Sequence, residues 1–148
     1  MQIKEIKENK WEYLPLLLIG DEDEGMIGRY LDRGRLFVLT DGGEAVAVCV
    51  TTDEGGGVLE VKNLAVRDDR RRQGLGRTML EYVEERFRGE FHTLQLGTGD
   101  SPLTVPFYER CGFSLSHRIK NFFLDNYGHE IYEEGVLLTD MVYLTKKI

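Results

Sequence analysis

The sequence predicts a mixed α+β fold built around a strand–helix–strand crossover, and three features carry that expectation. Residues 35–66 form a run of strand-like segments punctuated by glycine turns. A basic, glycine-bearing loop at 67–76 leads into an amphipathic helix. A short strand follows, and then a second helical segment that stops at Gly112. With 148 residues the chain reads as one domain, 1–148, long enough to bury roughly two thirds of its unfolded surface.

Each element has its own signal. Residues 2–8 alternate apolar and polar, as a short edge strand does. Lys10–Ile19 and Gly25–Arg33 carry apolar residues at helical spacing, with Asp21-Glu22-Asp23-Glu24 between them. Arg35–Thr40 and Glu44–Thr52 flank Asp41-Gly42-Gly43, a hairpin signal, and Val58–Val66 completes the meander after a glycine turn. Gln73–Phe87 is the clearest helix, with Met79, Leu80, Val83 and Phe87 on one face. Thr93–Leu96 reads as a strand and Pro102–Arg110 as a helix opened by proline and closed before Gly112. Phe113–Leu124 and Val136–Thr145 read as the last two strands, joined by a polar loop.

Composition narrows the function. A net charge of −7 argues against a nucleic-acid binder, which needs Lys and Arg to neutralise phosphates. Yet Arg67, Arg70, Arg71, Arg72 and Arg77 cluster within this acidic chain, and an anionic ligand would account for the reversal. The start lacks the apolar core of a signal peptide, and Leu14–Ile19 is too short to span a membrane; a cytoplasmic protein with no membrane partner is expected. Cys49 and Cys111 lack metal-ligand or CxxC spacing and read as plain thiols in a reducing compartment.

The stretch from Leu64 to Leu80 is the most informative: a buried strand, a basic loop, Gly74 and Gly76, then a helix. Helix N-terminal N–H groups are unpaired and lie at the positive end of the helix dipole, and glycines clear the way to them. Such a turn suits a phosphate or pyrophosphate, each charge-assisted hydrogen bond contributing about 1.5–3 kcal/mol. Neither a P-loop nor the three-glycine dinucleotide fingerprint is present. The spacing Arg71-x-x-Gly74-x-Gly76 resembles the acetyl-CoA pyrophosphate loop of the GNAT N-acetyltransferase superfamily. Glu60-Val61-Lys62-Asn63-Leu64-Ala65-Val66 resembles its central strand. Phe107-Tyr108-Glu109-Arg110-Cys111-Gly112-Phe113 resembles its second signature, F-Y-x-x-x-G-F, with one helix and one strand between the two.

What this resemblance implies is a central, mostly antiparallel sheet of six to seven strands with a splayed pair, and about four helices. It implies acetyl-CoA as co-substrate and no metal. Backbone groups of Leu64, Ala65 and Val66 would hold pantetheine, with the Val66 N–H near the thioester carbonyl. The N–H groups across Arg71, Arg72, Gln73, Gly74, Leu75, Gly76 and Arg77 would hold the pyrophosphate. Tyr108 would be the general acid that protonates the CoA sulfur. Glu60 would be the general base or a structural carboxylate paired with Lys62; strand alternation puts Glu60, Lys62, Leu64 and Val66 on one face.

One departure from the superfamily pattern is Gly97-Thr98-Gly99-Asp100-Ser101, where many members carry Asn; Asp100 or Ser101 would cap the next helix. The expected acceptor is a primary amine of a small molecule or a peptide. Asp21–Glu24, Asp125, Glu133 and Glu134 are candidates for an acidic mouth, and Phe122, Phe123, Tyr127 and His129 for a pocket wall. Each has a plainer reading as solvated surface or core. The alternative to the enzyme is a non-catalytic CoA-binding module. Homodimerisation through an edge strand is in keeping with the resemblance.

Overall fold

A computed structural model describes residues 1–148. The chain divides into two compact units, Met1–His92 and Thr93–Ile148. No helix is long and apolar enough to cross a membrane.

The first unit contains strands β1 (Gln2–Ile6), β2 (Arg35–Asp41), β3 (Glu44–Asp53) and β4 (Val58–Val66), antiparallel and neighbours in chain order. Asp41 pairs with Glu44 across Gly42 and Gly43, whose φ values of +61° and +83° make the mirror-image turn that suits twisted strands. Helices α1 (Leu14–Gly20) and α2 (Glu24–Gly28) follow β1, and α3 (Leu75–Phe87) follows β4. The helix expected over Lys10–Ile19 begins as a 3-10 turn, Lys10–Tyr13, and the one expected from Gly25 ends at Gly28 rather than Arg33.

Strand alternation gives the sheet two apolar faces. Leu36, Val38, Val48, Val50 and Ala65 pack with Leu16, Leu17, Ile27 and Leu31 of α1, α2 and the turn that follows. Phe37 points to the other face and meets Tyr82 and Phe87 of α3 edge-on, at centroid distances of 5.7 and 5.8 Å. Leu75, Met79, Leu80, Val83 and Phe87 form the buried stripe of α3. Each such side chain contributes about 1.5–3 kcal/mol on burial, which anchors the helix that carries the basic turn.

The alternation of β4 is broken once. Val50 pairs with Asn63 and Thr51 with Val61, so Lys62 is an extra residue, a β-bulge. Glu60, paired with Thr52, therefore shares the α1–α2 face with Asn63 and Ala65. The expectation that Glu60 shares a face with Leu64 and Val66 is overturned by this one inserted residue.

The second unit holds β5 (Thr93–Gly99), β6 (Ser114–Ile119) and β9 (Met141–Lys147), with β9 antiparallel to both. Helix α4 (Val105–Arg110) follows β5, and α5 (Phe122–Asn126) follows β6. A small hairpin, β7 (Tyr132–Glu133) and β8 (Val136–Leu137), turns on Glu134 and Gly135 at φ +50° and +75°. With five helices against about four expected, the main differences lie here. The strand expected to reach Leu124 stops at Ile119, and the one expected from Val136 breaks before Met141. The reason is tertiary: Asn121, at φ +56°, donates its N–H to Asp140 Oδ1 at 2.9 Å, and Phe123 donates to Thr139 O at 2.9 Å. Phe123, Ile131 and Leu138 then close a small core of their own.

Candidate active site

The loop after β4 is tied down by two of its arginines. Arg67 donates to Asp69 and Glu44, and Arg70 donates to Gln73 Oε1 at 3.0 Å and to Asp41 Oδ2 at 2.8 Å. Arg70 thereby fastens the loop to the β2–β3 turn. Arg71 and Arg77 make exposed pairs with Asp68 and Glu81 at 3.2 and 3.1 Å. Such pairs contribute about 0–1 kcal/mol, so either guanidinium can turn to another anion at little cost.

The backbone then prepares the start of α3. Arg72 holds φ +63° and Gly74 φ +76°, both left-handed and, for arginine, uncommon. The first turn closes with Thr78 N–H on Gly74 O at 2.9 Å. The N–H groups of Leu75, Gly76 and Arg77 precede that bond, and the N-cap residue, Gly74, brings no capping side chain. A Cβ placed on Gly74 would meet no atom within 4 Å. A three-turn helix thus starts with bare, aligned donors inside a cluster of arginines, which suits a pyrophosphate.

On β4, Leu64 and Val66 are half-buried and Ala65 is buried. Arg67 N–H donates to Val46 O on β3 at 2.8 Å. Since successive residues of a strand turn their backbone groups to opposite edges, the N–H and C=O of Val66, and likewise of Leu64, point away from β3. This is the orientation that a pantetheine arm alongside β4 requires. Glu60 is only 4% exposed, and its Oε2 lies 2.6 Å from Lys62 Nζ.

Two polar residues outside the expected site, Asn63 and Tyr30, lie on the sheet face that carries Glu60. Asn63 Nδ2 donates to Leu17 O at 2.9 Å and to the Tyr30 hydroxyl at 3.1 Å; that hydroxyl donates to Asp21 Oδ2 at 3.2 Å. Burial, and then the Asp21 carboxylate, push the Tyr30 hydroxyl well above its ordinary pKa. The only sequence signal was an amide beside the apolar run Leu64-Ala65-Val66 at the end of the strand. Gly20 is needed here, because any Cβ on it would run into the Asn63 side chain.

In the second unit, Tyr108 lies on α4 with its N–H on Thr104 O at 3.0 Å, and its own carbonyl accepts from Phe113 N–H at 3.0 Å. Its ring stands edge-on to Phe107 and Phe113 at 5.0 and 5.9 Å. Neither candidate caps α4, whose N-cap is Thr104 with no side-chain cap: Ser101 Oγ accepts from Leu103 and Thr104 N–H in the turn before the helix, and Asp100 pairs with Arg118 at 2.8 Å.

Several acidic-mouth candidates hold the fold together. Asp23 caps α2 by accepting from Met26 N–H, Asp21 anchors Tyr30, and Glu133 binds Ser101. Phe123 is core, with Phe122 and Tyr127 packed against it. Cys49 is fully buried, its thiol pushed up to about 12 by that burial, and Cys111 is a second free thiol. No group of three His, Cys, Asp or Glu side chains is arranged to hold a metal ion.

Set beside known proteins, this chain falls among the acetyl-CoA-dependent acyltransferases. It belongs to the GNAT acetyltransferase family: residues 32–115 match the family's acetyltransferase (GNAT) domain, a stretch that includes both the α3 turn and Tyr108. It is 30% identical over 93% of its length to YvbK of Bacillus subtilis (strain 168), an uncharacterised N-acetyltransferase, and covers 90% of that protein. A GNAT acetyltransferase from Elizabethkingia anophelis, solved with acetyl-CoA bound, superposes with a TM-score of 0.94 at 30% identity, over 99% of this chain and 97% of that one. An IAA acetyltransferase from Bacillus cereus ATCC 14579 superposes with a TM-score of 0.92 at 30% identity, over 99% of each chain. The fold is therefore the GNAT fold.

Proposed function

We propose that residues 1–148 work as one N-acetyltransferase domain that moves the acetyl group of acetyl-CoA to a primary amine of a small molecule or a peptide. The observation that carries this reading is the start of α3, where Gly74 leaves three helix N–H groups uncapped beside Arg71, Arg72 and Arg77. The pyrophosphate sits on the N–H groups from Arg71 to Arg77. The pantetheine arm runs along Leu64, Ala65 and Val66, and the outward-turned Val66 N–H polarises the thioester carbonyl.

Transfer then runs by direct attack in a ternary complex. The amine nitrogen bonds to the thioester carbon, and the carbonyl oxygen gathers negative charge opposite the Val66 N–H, a donor fixed before the reaction begins. The C–S bond breaks, and Tyr108 gives its proton to the departing thiolate. The proton lost by the amine passes to Glu60, directly or through water. Holding two reactants in attack geometry supplies up to roughly 7–11 kcal/mol in ideal cases, so binding does much of the work. Lys62 holds the Glu60 carboxylate in place on the α1–α2 face, and the acceptor enters from that face.

The test is thiol release from acetyl-CoA across a panel of polyamines, arylalkylamines, aminoglycosides and N-terminal peptides. Release with one class supports the reading and names the acceptor class. A protein that binds acetyl-CoA and releases no thiol with any amine would make the CoA-binding module the better description.

A further inference from the structure

The last residue of the loop that departs from the family pattern is buried and hydrogen-bonded. Ser101 is 4% exposed. Its Oγ accepts from the N–H of Leu103 at 3.2 Å and of Thr104 at 3.3 Å, lies 3.2 Å from Thr104 Oγ1, and donates to Glu133 Oε1 at 2.8 Å. Thr104 Oγ1 in turn donates to Gly99 O at 2.9 Å, and Thr104 O receives the N–H of Tyr108 at 3.0 Å. A continuous path of hydrogen bonds thus runs from Glu133 on β7, through Ser101 and Thr104, to the backbone of Tyr108 one turn later. A hydrogen bond to a carboxylate is among the stronger ones, and a buried hydroxyl deprived of it keeps an unmet donor.

The far end of the path is a short hairpin whose base is held by buried Ile131 and Leu138 and whose tip is exposed. Strands β7 and β8 are two residues each. Tyr132 is 60% exposed and Val136 39% exposed, and the turn forces Glu134 into left-handed backbone. We propose that Ser101 and Glu133 are positioning residues, through which the placement of the β7–β8 hairpin sets the pose of Tyr108. This rests on the reading of Tyr108 as the acid. Its consequence is that a change in the hairpin alters the chemical step rather than acetyl-CoA binding.

The test places 3-fluorotyrosine at position 108 of the full chain and follows its fluorine NMR signal, alone and saturated with free CoA. Glu133→Ala is expected to displace the signal in both states. Glu133→Gln, whose amide oxygen still accepts from Ser101, is expected to restore it. Ser101→Ala and the double variant should match Glu133→Ala, since each cuts one link of the same path. If Ser101→Ala lowers the melting temperature sharply, Glu133→Ala still decides, because it leaves both N–H groups their Ser101 acceptor.

In turnover on the amine returned by the panel, Glu133→Ala should lower kcat about tenfold with KM for acetyl-CoA unchanged, as expected for loosening an acid that supplies ~10²–10⁴-fold. A signal unmoved by Glu133→Ala, or moved equally by Glu133→Gln, overturns the proposal. A Tyr108→Phe variant with full activity would instead remove the acid role itself, so the two readings fail separately.

Discussion

Helices α3 and α4 both follow a sheet strand and a loop, and they begin in opposite ways. At α3 the N-cap is a glycine in left-handed backbone with no capping side chain, and the nearby arginines pair with exposed carboxylates. At α4 the preceding turn is filled from within, with Ser101 and Thr104 taking up N–H and carbonyl groups and Glu133 holding Ser101. A helix start that satisfies its own donors is structural. One that leaves them bare beside positive charge is suited to an anion from outside. In the function proposed above, the first arrangement fixes the backbone of Tyr108 and the second takes the pyrophosphate of acetyl-CoA.

The largest effect that would break this division is at α4. Tyr108→Phe keeps the edge-on ring contacts and removes only the hydroxyl, so kcat should fall about 10²-fold or more with acetyl-CoA affinity unchanged. Steady-state kinetics beside calorimetry checks it, and a matching loss of affinity would mean that Tyr108 serves binding instead.

Next is Glu60→Gln, which separates a base from a structural carboxylate. A base gives a large fall in kcat with the melting temperature little changed. A structural role gives a clear drop in melting temperature, because half-buried Lys62 loses its partner.

The smallest effect concerns the scaffold. Arg35 donates two hydrogen bonds to Glu5, at 2.8 and 3.1 Å, and lies 4.8 Å over the Phe87 ring. The Arg35 bonds hold the Glu5 carboxyl below its ordinary pKa. The pair's stabilisation is therefore present above the unfolded carboxylate value and lost as pH falls through the folded one. Arg35→Met should cost about 1 kcal/mol near neutrality, and the difference from the parent should vanish in acid. Denaturant melts at several pH values measure it.

What was legible in the sequence follows the same division. The α3 turn is local chemistry: two glycines, the arginines and an i, i+4 apolar stripe lie within one stretch, so its structure was readable. The strands of the first unit were readable because alternation is local too. The Lys62 bulge was not, since nothing in Val61-Lys62-Asn63 marks an inserted residue, and one insertion moved Glu60 to the other face. Nor was the segment after β6, where the helix at Phe122 depends on Asp140 and Thr139, far along the chain. Acidic residues misled for a related reason. Asp21, Asp23 and Glu133 look like surface charge in sequence, and their hydrogen-bond partners appear only on folding.

The most direct measurement is calorimetric titration of acetyl-CoA into the parent protein and Gly74→Asn, with melting temperatures taken alongside. Asparagine tolerates left-handed backbone and caps helices, and the space over Gly74 admits its side chain. If α3's bare N-terminus is the pyrophosphate site, the variant should melt at or above the parent temperature and bind acetyl-CoA about 10–100-fold more weakly, the loss of one charge-assisted hydrogen bond. Equal affinity in the two proteins, or no binding by the parent, would contradict that assignment.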